Sequence, residues 1–274
     1  MPPTISRLPT LYIPHGGGPC FFMDPSPGLP TDMWDRMAAY LRGIAATLPT
    51  RPRALLVISA HWETRQLTVN AAEQSPLLFD YYGFPEHTYQ LTYPVAGSPE
   101  LAARVRALLS AAGIGSAEER QRGLDHGVFV PFKLIYPEAD IPLVQLSLLQ
   151  GLDPAAHLDI GRALAPLRDE GVLIVGSGMS YHNLRDFFGD DPQGNALAQQ
   201  FDDWLVETVT HTDPEVRADR LAHWHAAPGA LASHPRAEHL LPLMVAAGAA
   251  GDDAGHHSYS ERLLGKALSG FQFA

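Results

Sequence analysis

The chain has 274 residues, 46% of them apolar, enough for a sizeable core in one large α/β unit or two smaller ones. Its formal charge is −11, and with only two lysines, Lys133 and Lys266, and no clustered basic stripe it is not expected to bind nucleic acid or anionic membranes. The single cysteine, Cys20, excludes an internal disulfide, residues 1–10 lack a basic, apolar leader, and no run is long enough to span a bilayer, so a soluble cytoplasmic protein is expected.

The first strand is predicted over residues 8–14, followed by an irregular Pro/Gly-rich loop to about residue 30. Thr31 and Asp32 offer caps for a helix to about Leu48, with Met33, Trp34, Met37, Tyr40 and Leu41 on its apolar side. Residues 53–60 are apolar almost throughout, as a strand buried on both faces requires, and 67–72 is a candidate third strand. An aromatic loop follows around Phe79, Tyr81, Tyr82 and Phe84. Ser98 or Pro99 opens a helix that ends near Gly113. Next come a short helix over 129–136, a strand over 143–148, a helix over 154–168 and a strand over 172–177. Two further helices, about 195–210 and 235–247, precede a tail, 259–273, predicted to return one strand to the sheet edge. This order reads as one α/β domain over 1–274, doubly wound, with a mostly parallel sheet and helices on both faces.

Against that frame the histidines are unevenly placed. His15, His61, His126 and His182 each sit in a compact turn: Pro14-His15-Gly16-Gly17-Gly18, Ser59-Ala60-His61-Trp62, Asp125-His126-Gly127 and Gly176-Ser177-Gly178 through His182-Asn183. His15 and His61 directly follow predicted strands, where an open α/β sheet places its active site. His239 opens an apolar helical stretch, Glu238-His239-Leu240-Leu241-Pro242. Neutral imidazole is the commonest metal ligand, so convergence of several of these residues points to a mononuclear metal centre. Each also has a plain reading: strand-end histidines bonded to backbone carbonyls, loop histidines beside glycine, and, for His239, a satisfied core residue on a helix face. The three glycines after His15 lack the Lys-Ser/Thr of a phosphate loop. His87, His157, His211, His223, His225, His234, His256 and His257 lie in polar or loop contexts and are expected at the surface.

Taken together, these segments make the chain resemble the LigB-type class III extradiol ring-cleaving dioxygenases, in the branch called DOPA 4,5-dioxygenase-like. The likeness runs over nearly the whole chain, through His15-Gly-Gly-Gly-Pro19, Ser59-Ala60-His61-Trp62, Gly83-Phe84-Pro85 with Tyr93-Pro94, Leu124-Asp125-His126-Gly127, Tyr136-Pro137 with residues 140–147, residues 176–185, and Glu238-His239-Leu240-Leu241-Pro242-Leu243. Any one segment is weak; seven in order are specific.

The resemblance implies a LigB-like fold and assigns roles residue by residue. His15, His61 and His239 match the metal ligands. His182 matches the general acid/base, and counts as a fourth ligand in zinc-loaded relatives. His126 matches a histidine that holds the substrate or assists proton transfer. In the broader superfamily the third ligand is a glutamate; here the match falls on His239, with Glu238 adjacent. An all-histidine set is less anionic and more hospitable to Zn²⁺, whereas the ring-opening chemistry calls for Fe²⁺. The expected partners are a single-ring catechol, DOPA-like or otherwise substituted, and O2; the oligomeric state is open. Tyr81, Tyr82, Phe84 and Tyr89 are candidates for the wall of the ring pocket. Two other readings stay in view: a zinc hydrolase in which the metal activates water, and a catalytically silent binding protein of the Memo type. No familiar hydrolase motif accompanies the histidines, and the presence of both His126 and His182 argues against a silent pocket.

Overall fold

The apolar runs form strands of one sheet in the computed structural model, which describes residues 6–25 and 28–274; the reading of residues 1–5 and of loop residues 26–27 lies outside them. The strands are β1 (Thr10–Pro14), β2 (Ala54–Thr64), β3 (Leu67–Asn70), β4 (Ser116–Glu119), β5 (Leu143–Leu149), β6 (Val172–Gly178), β7 (Gly255–Leu263) and β8 (Lys266–Phe273). The helices are α1 (Asp35–Thr47), α2 (Pro99–Ala111), α3 (His126–Ile135), α4 (Pro154–Leu164), α5 (Pro192–Val209), α6 (Pro214–Ala222), α7 (Ala230–Ser233) and α8 (Leu241–Ala250).

Strand order is β4-β3-β5-β2-β6-β1-β8-β7, and the central block β5-β2-β6-β1 is parallel. β6 comes late in the chain yet inserts between β1 and β2, which opens a crevice at the carboxyl ends of these three strands. Alternation along the block feeds two cores: Leu55, Val57 and Val175 join the side of α1 and α3, while Leu56, Ile58 and Ile174 join that of α4 and α8. Burying one such leucine is worth about 1.5–3 kcal/mol, so these strands are held chiefly by both faces being covered. α8 is apolar on every side and buried at every position, packed between α4 and the strands β1 and β6. Three helices, α4, α5 and α6, begin at Asp-Pro pairs in which Asp153, Asp191 and Asp213 accept first-turn N–H groups and proline fills the first helical position. Among the described residues no helix is long and apolar enough to cross a membrane.

Several elements differ from the sequence expectation. β2 runs on to Thr64, so His61 lies inside the strand's irregular end rather than after it. α3 starts at His126, because Asp125 is extended and its carbonyl accepts from Val128 and Phe129. α8 starts at Leu241, which leaves His239 in the turn ahead of the helix, not on its face. α5 begins at Pro192, and α6 and β4 were not expected at all. The tail is a two-stranded hairpin: β8 pairs antiparallel with β1 and is interior, and only β7 lies at the edge. His157 and His234 are fully buried, not at the surface. His157 accepts from the Leu149 N–H and donates to the Asp153 carbonyl, while His234 donates to the carbonyl of Ser180 and packs against Phe201 and Trp224.

Candidate active site

His15, His61, His126, His182 and His239, the residues singled out in the sequence, all converge at the crevice. His15 follows the last residue of β1, and its N–H donates to the Gly178 carbonyl at 3.1 Å. At Gly178 a Cβ would stand 2.1 Å from the His239 carbonyl oxygen. Glycine there lets β6 close on the turn before α8, which sets His239 beside the strand ends. That same carbonyl accepts from Tyr12 Oη at 2.7 Å and from the Met179 N–H at 3.2 Å. Gly127 is equally constrained, since a Cβ would lie 2.5 Å from Ser59 Oγ and 3.0 Å from the His61 ring. His182 is fixed through its own N–H, which donates to the Ser233 carbonyl at 2.9 Å.

Beneath the rings lies a buried polar network. Asp125, wholly buried, accepts from Ser59 Oγ at 2.6 Å, Gln145 Nε2 at 2.5 Å and Arg122 Nη2 at 2.9 Å. Arg122 also donates to the His61 carbonyl at 3.1 Å, and Ser59 Oγ accepts the His61 N–H at 3.2 Å. Every oxygen of this carboxylate is occupied, so the network holds the backbone of His61 rigidly rather than presenting a free charge.

The rings divide into two groups. His15, His61 and His126 form one, with the Nε2 atoms of His15 and His61 facing each other at 3.2 Å. His182, His239 and Glu238 form the other, with the two imidazoles stacked at a centroid distance of 3.3 Å and 16° between planes. The groups meet at His239, whose ring centroid is 5.2 Å from that of His15 and 4.8 Å from that of His61. One carboxylate serves each. Asp80 Oδ1 accepts His126 Nδ1 at 2.8 Å and the His126 N–H at 2.9 Å, and its Oδ2 lies 3.6 Å from His61 Nδ1. Glu238 Oε1 accepts His239 Nδ1 at 2.9 Å and lies 3.2 Å from His182 Nδ1, while Arg236 bridges Glu238 to Glu63.

These contacts fix tautomers. An imidazole that donates from Nδ1 presents Nε2 as a lone pair, so Asp80 and Glu238 turn His126, His182 and His239 with acceptor nitrogens toward the crevice. Burial pushes the His15 and His239 imidazoles well below the ordinary histidine value, reinforced by the other histidines around them. Burial likewise pushes His61 down to about 3, with His126 adding to the effect and Asp80 opposing it. Burial acts to raise the Asp80 and Glu238 carboxyls, but hydrogen bonds from His126 and His182 outweigh it and hold both below the usual range.

The donor set fits a metal ion. Two nitrogens held at roughly 2.0–2.1 Å from one ion stand about 2.8–3.4 Å apart, the range from right-angled six-coordinate to tetrahedral four-coordinate geometry. The His15–His61 spacing of 3.2 Å falls there. Neutral, buried imidazoles are the protonation state such an ion needs. His15 Nδ1 has no hydrogen-bond partner, so no carboxylate or carbonyl orients this ring as Asp80 orients His126 and Glu238 orients His239. Sequence reasoning missed Asp80, whose only local signal is its place in the aromatic loop, and the Ser59–Asp125–Gln145–Arg122 network.

Above the histidines opens a cavity of about 420 Å³. Of the aromatic residues proposed for its wall, Tyr81 and Phe84 line it, whereas Tyr82 is 91% exposed and Tyr89 lies behind Tyr81.

Comparison with known proteins gives consistent results. A family model described as the catalytic LigB subunit of aromatic ring-opening dioxygenase matches residues 9–272. The chain is 38% identical over 272 residues to "Dioxygenase tasH" of Hapsidospora irregularis, spanning 94% of this chain and 82% of that one. It is 45% identical over 208 residues to the "4,5-DOPA dioxygenase extradiol" of Beta vulgaris, spanning 74% and 75% of the two chains. It is 37% identical over 245 residues to the Escherichia coli protein of that name, spanning 89% and 86%. A crystal structure of an uncharacterized Escherichia coli K12 protein superposes with a TM-score of 0.76 at 32% identity, covering 98% of this chain and all of that one.

Proposed function

Because the chain belongs to the LigB family of extradiol aromatic ring-opening dioxygenases, we propose that it opens the ring of a catechol with O2 at a non-haem Fe²⁺ centre. The observation that carries this reading is the convergence of five imidazoles at the carboxyl ends of β1, β2 and β6, two of them with Nε2 atoms 3.2 Å apart. His15, His61 and His239 would hold the ion. When bound, Fe²⁺ would supply the path by which electrons pass from the catecholate to O2. Both oxygen atoms enter the product, the O–O bond and one ring C–C bond beside the diol break, and no external reductant is consumed.

The chain's own groups handle the protons. His182, with Nδ1 turned to Glu238, offers Nε2 as the base that takes a proton from a catechol hydroxyl and returns it later in the cycle. His126, fixed through Nδ1 by Asp80, offers its Nε2 to the second hydroxyl. A monophenol lacks one of the two oxygens these groups are arranged to meet, and a site built for a hydrogen bond discriminates by roughly 10,000-fold or more in favourable cases.

Purification without air, metal analysis, and oxygen uptake with a panel of catechols test the reading. The expected outcome is Fe²⁺-dependent oxygen consumption with a yellow ring-opened product, declining in air and restored by ascorbate with Fe²⁺. Activity with Zn²⁺ alone and no oxygen uptake would assign a hydrolase. Metal binding without turnover of any catechol would leave a Memo-like binding pocket.

A further inference from the structure

The wall of the cavity differs in kind from its floor. Above the histidines it is built from Met23, Leu29, Trp34, Phe84, Leu184 and Phe188. Leu184 and Phe188 are 65% and 66% exposed, large apolar groups left at the mouth where a soluble surface ordinarily carries polar ones. The two phenols that line the cavity are committed elsewhere: Tyr81 Oη donates to the Thr88 carbonyl at 2.7 Å and Tyr181 Oη to Asp186 at 3.0 Å. Among the described residues, no Lys, Arg, Asp or Glu lines the cavity.

Arg185, next to Leu184, is exposed and does not line the cavity, and the arginines beside the histidines are paired. Arg122 is held by Asp125 at 2.9 Å, and Arg236 by Glu63 at 2.5 Å and Glu238 at 3.2 Å. A smaller adjoining cavity shares Cys20, Met23, Leu29 and Trp34, but there Arg42 is accompanied by Asp24 and Asp35, which together leave no excess of positive charge for an anion. A carboxylate or ammonium drawn into the larger cavity would lose its water and gain no partner, the least favourable way to bury an ion.

Resting on the ring-cleavage reading, we propose that the catechol this protein takes carries an uncharged, apolar substituent, and that amino-acid catechols are disfavoured. The histidine floor meets the two hydroxyls, and the wall from Trp34 to Phe188 covers an alkyl or aryl group on the ring. Each methylene buried there is expected to raise kcat/KM by roughly fourfold, until the wall is filled.

The test is kcat/KM from oxygen uptake by the Fe²⁺-loaded protein with 4-methyl-, 4-ethyl- and 4-propylcatechol, dopamine, 3,4-dihydroxyphenylpropanoate and L-DOPA. A calorimetric titration without oxygen gives the binding order of the same six compounds independently of turnover. The expected result is a rise along the alkyl series and a preference of about 10-fold or more for 4-propylcatechol over each charged compound. Leu184→Arg, at an exposed position, should improve the propanoate selectively and leave dopamine no better. L-DOPA equal to or better than 4-propylcatechol overturns the inference while leaving ring cleavage intact. Failure of Leu184→Arg to favour the anion shows that the wall does not contact the substituent and overturns it as well. Absence of oxygen uptake with all six compounds removes the ring-cleavage reading on which the inference rests.

Discussion

The two halves of the histidine cluster solve the same problem with unequal means. On the β1–β2 side, Asp80 reaches in from the aromatic loop and grips one ring, His126, through both side chain and backbone. On the β6–α8 side, one oxygen of Glu238 is shared by two stacked rings. Two positive charges 3.3 Å apart would repel by about 5 kcal/mol even at an effective dielectric constant near 20. The two rings are therefore not both imidazolium. The His239 side chain is 4% exposed and that of His182 is 21% exposed, and burial holds the His239 ring neutral. The difference in burial is what separates two adjacent, similarly oriented imidazoles, and it matches the roles proposed for them, His239 as ligand and His182 as acid/base group.

Substitution within each half should break the comparison most sharply. His61→Ala should abolish metal retention, read by metal analysis after dialysis. His182→Ala should keep the metal yet lose turnover by on the order of 100- to 10,000-fold. Equal metal loss in both would make His182 a structural ligand and erase the division of roles.

Changing the carboxylates comes next. In Glu238→Gln the shared oxygen remains, but the amide turns a donor toward Arg236 and disturbs both rings at once, so a loss of about 10- to 100-fold in metal affinity or activity is expected. Asp80→Asn keeps an oxygen for the single ring it grips, and the loss should lie at or below the lower end of that range. If Asp80→Asn proves the more damaging of the two, the Glu238 side is not the more tightly coupled half.

His234 sharpens the contrast from outside the cluster. Burial pushes its imidazole down to about 4, so the folded protein binds fewer protons than the unfolded chain below pH 6.5. Its contribution is intact above pH 6.5 and is lost as the pH falls toward 4. His157 is lowered by burial as well and acts in the same direction. Thermal unfolding of the metal-free protein should show a falling Tm across that window, and His234→Gln, which keeps a donor for the Ser180 carbonyl, should flatten the slope by a few degrees. An unchanged slope would assign the acid sensitivity elsewhere.

What was legible in the sequence follows from how each feature is stabilised. β1, β2, β5 and β6 are buried on both faces and show themselves as short apolar runs. β4, Ser-Ala-Glu-Glu, is a half-exposed edge strand with no alternation, held by pairing to β3 that only the fold supplies. α6 did carry a signal, the Asp213-Pro214 cap, though its apolar stripe is thin. His15, His61, His126 and His182 were visible because each lies at or near an element end among glycine and serine neighbours, which the close packing at the crevice requires. Asp80 was not, because it lies 46 positions from the ring it orients and nothing local marks it. Glu238 was visible only as the neighbour of His239, and its side chain meets the Nδ1 edges of His182 and His239. His157 and His234 were misjudged because polar neighbours in sequence say nothing of a buried hydrogen bond made through space.

The bond from Tyr12 to the His239 carbonyl joins positions 227 residues apart. On a ribosome adding about 5–20 residues per second, His15 therefore waits roughly 10–45 s for the far side of its cluster to be synthesised. No nascent chain presents the complete set of nitrogens, so the centre is a product of finished folding and not a nucleus for it. A cation arriving afterward would reach the histidines through the cavity edged by Leu184 and Phe188. On the proposed reading, ion and catechol would share this cavity, and that implies an order of arrival: an aromatic ring seated first would bar the ion, and one seated second would lock it in.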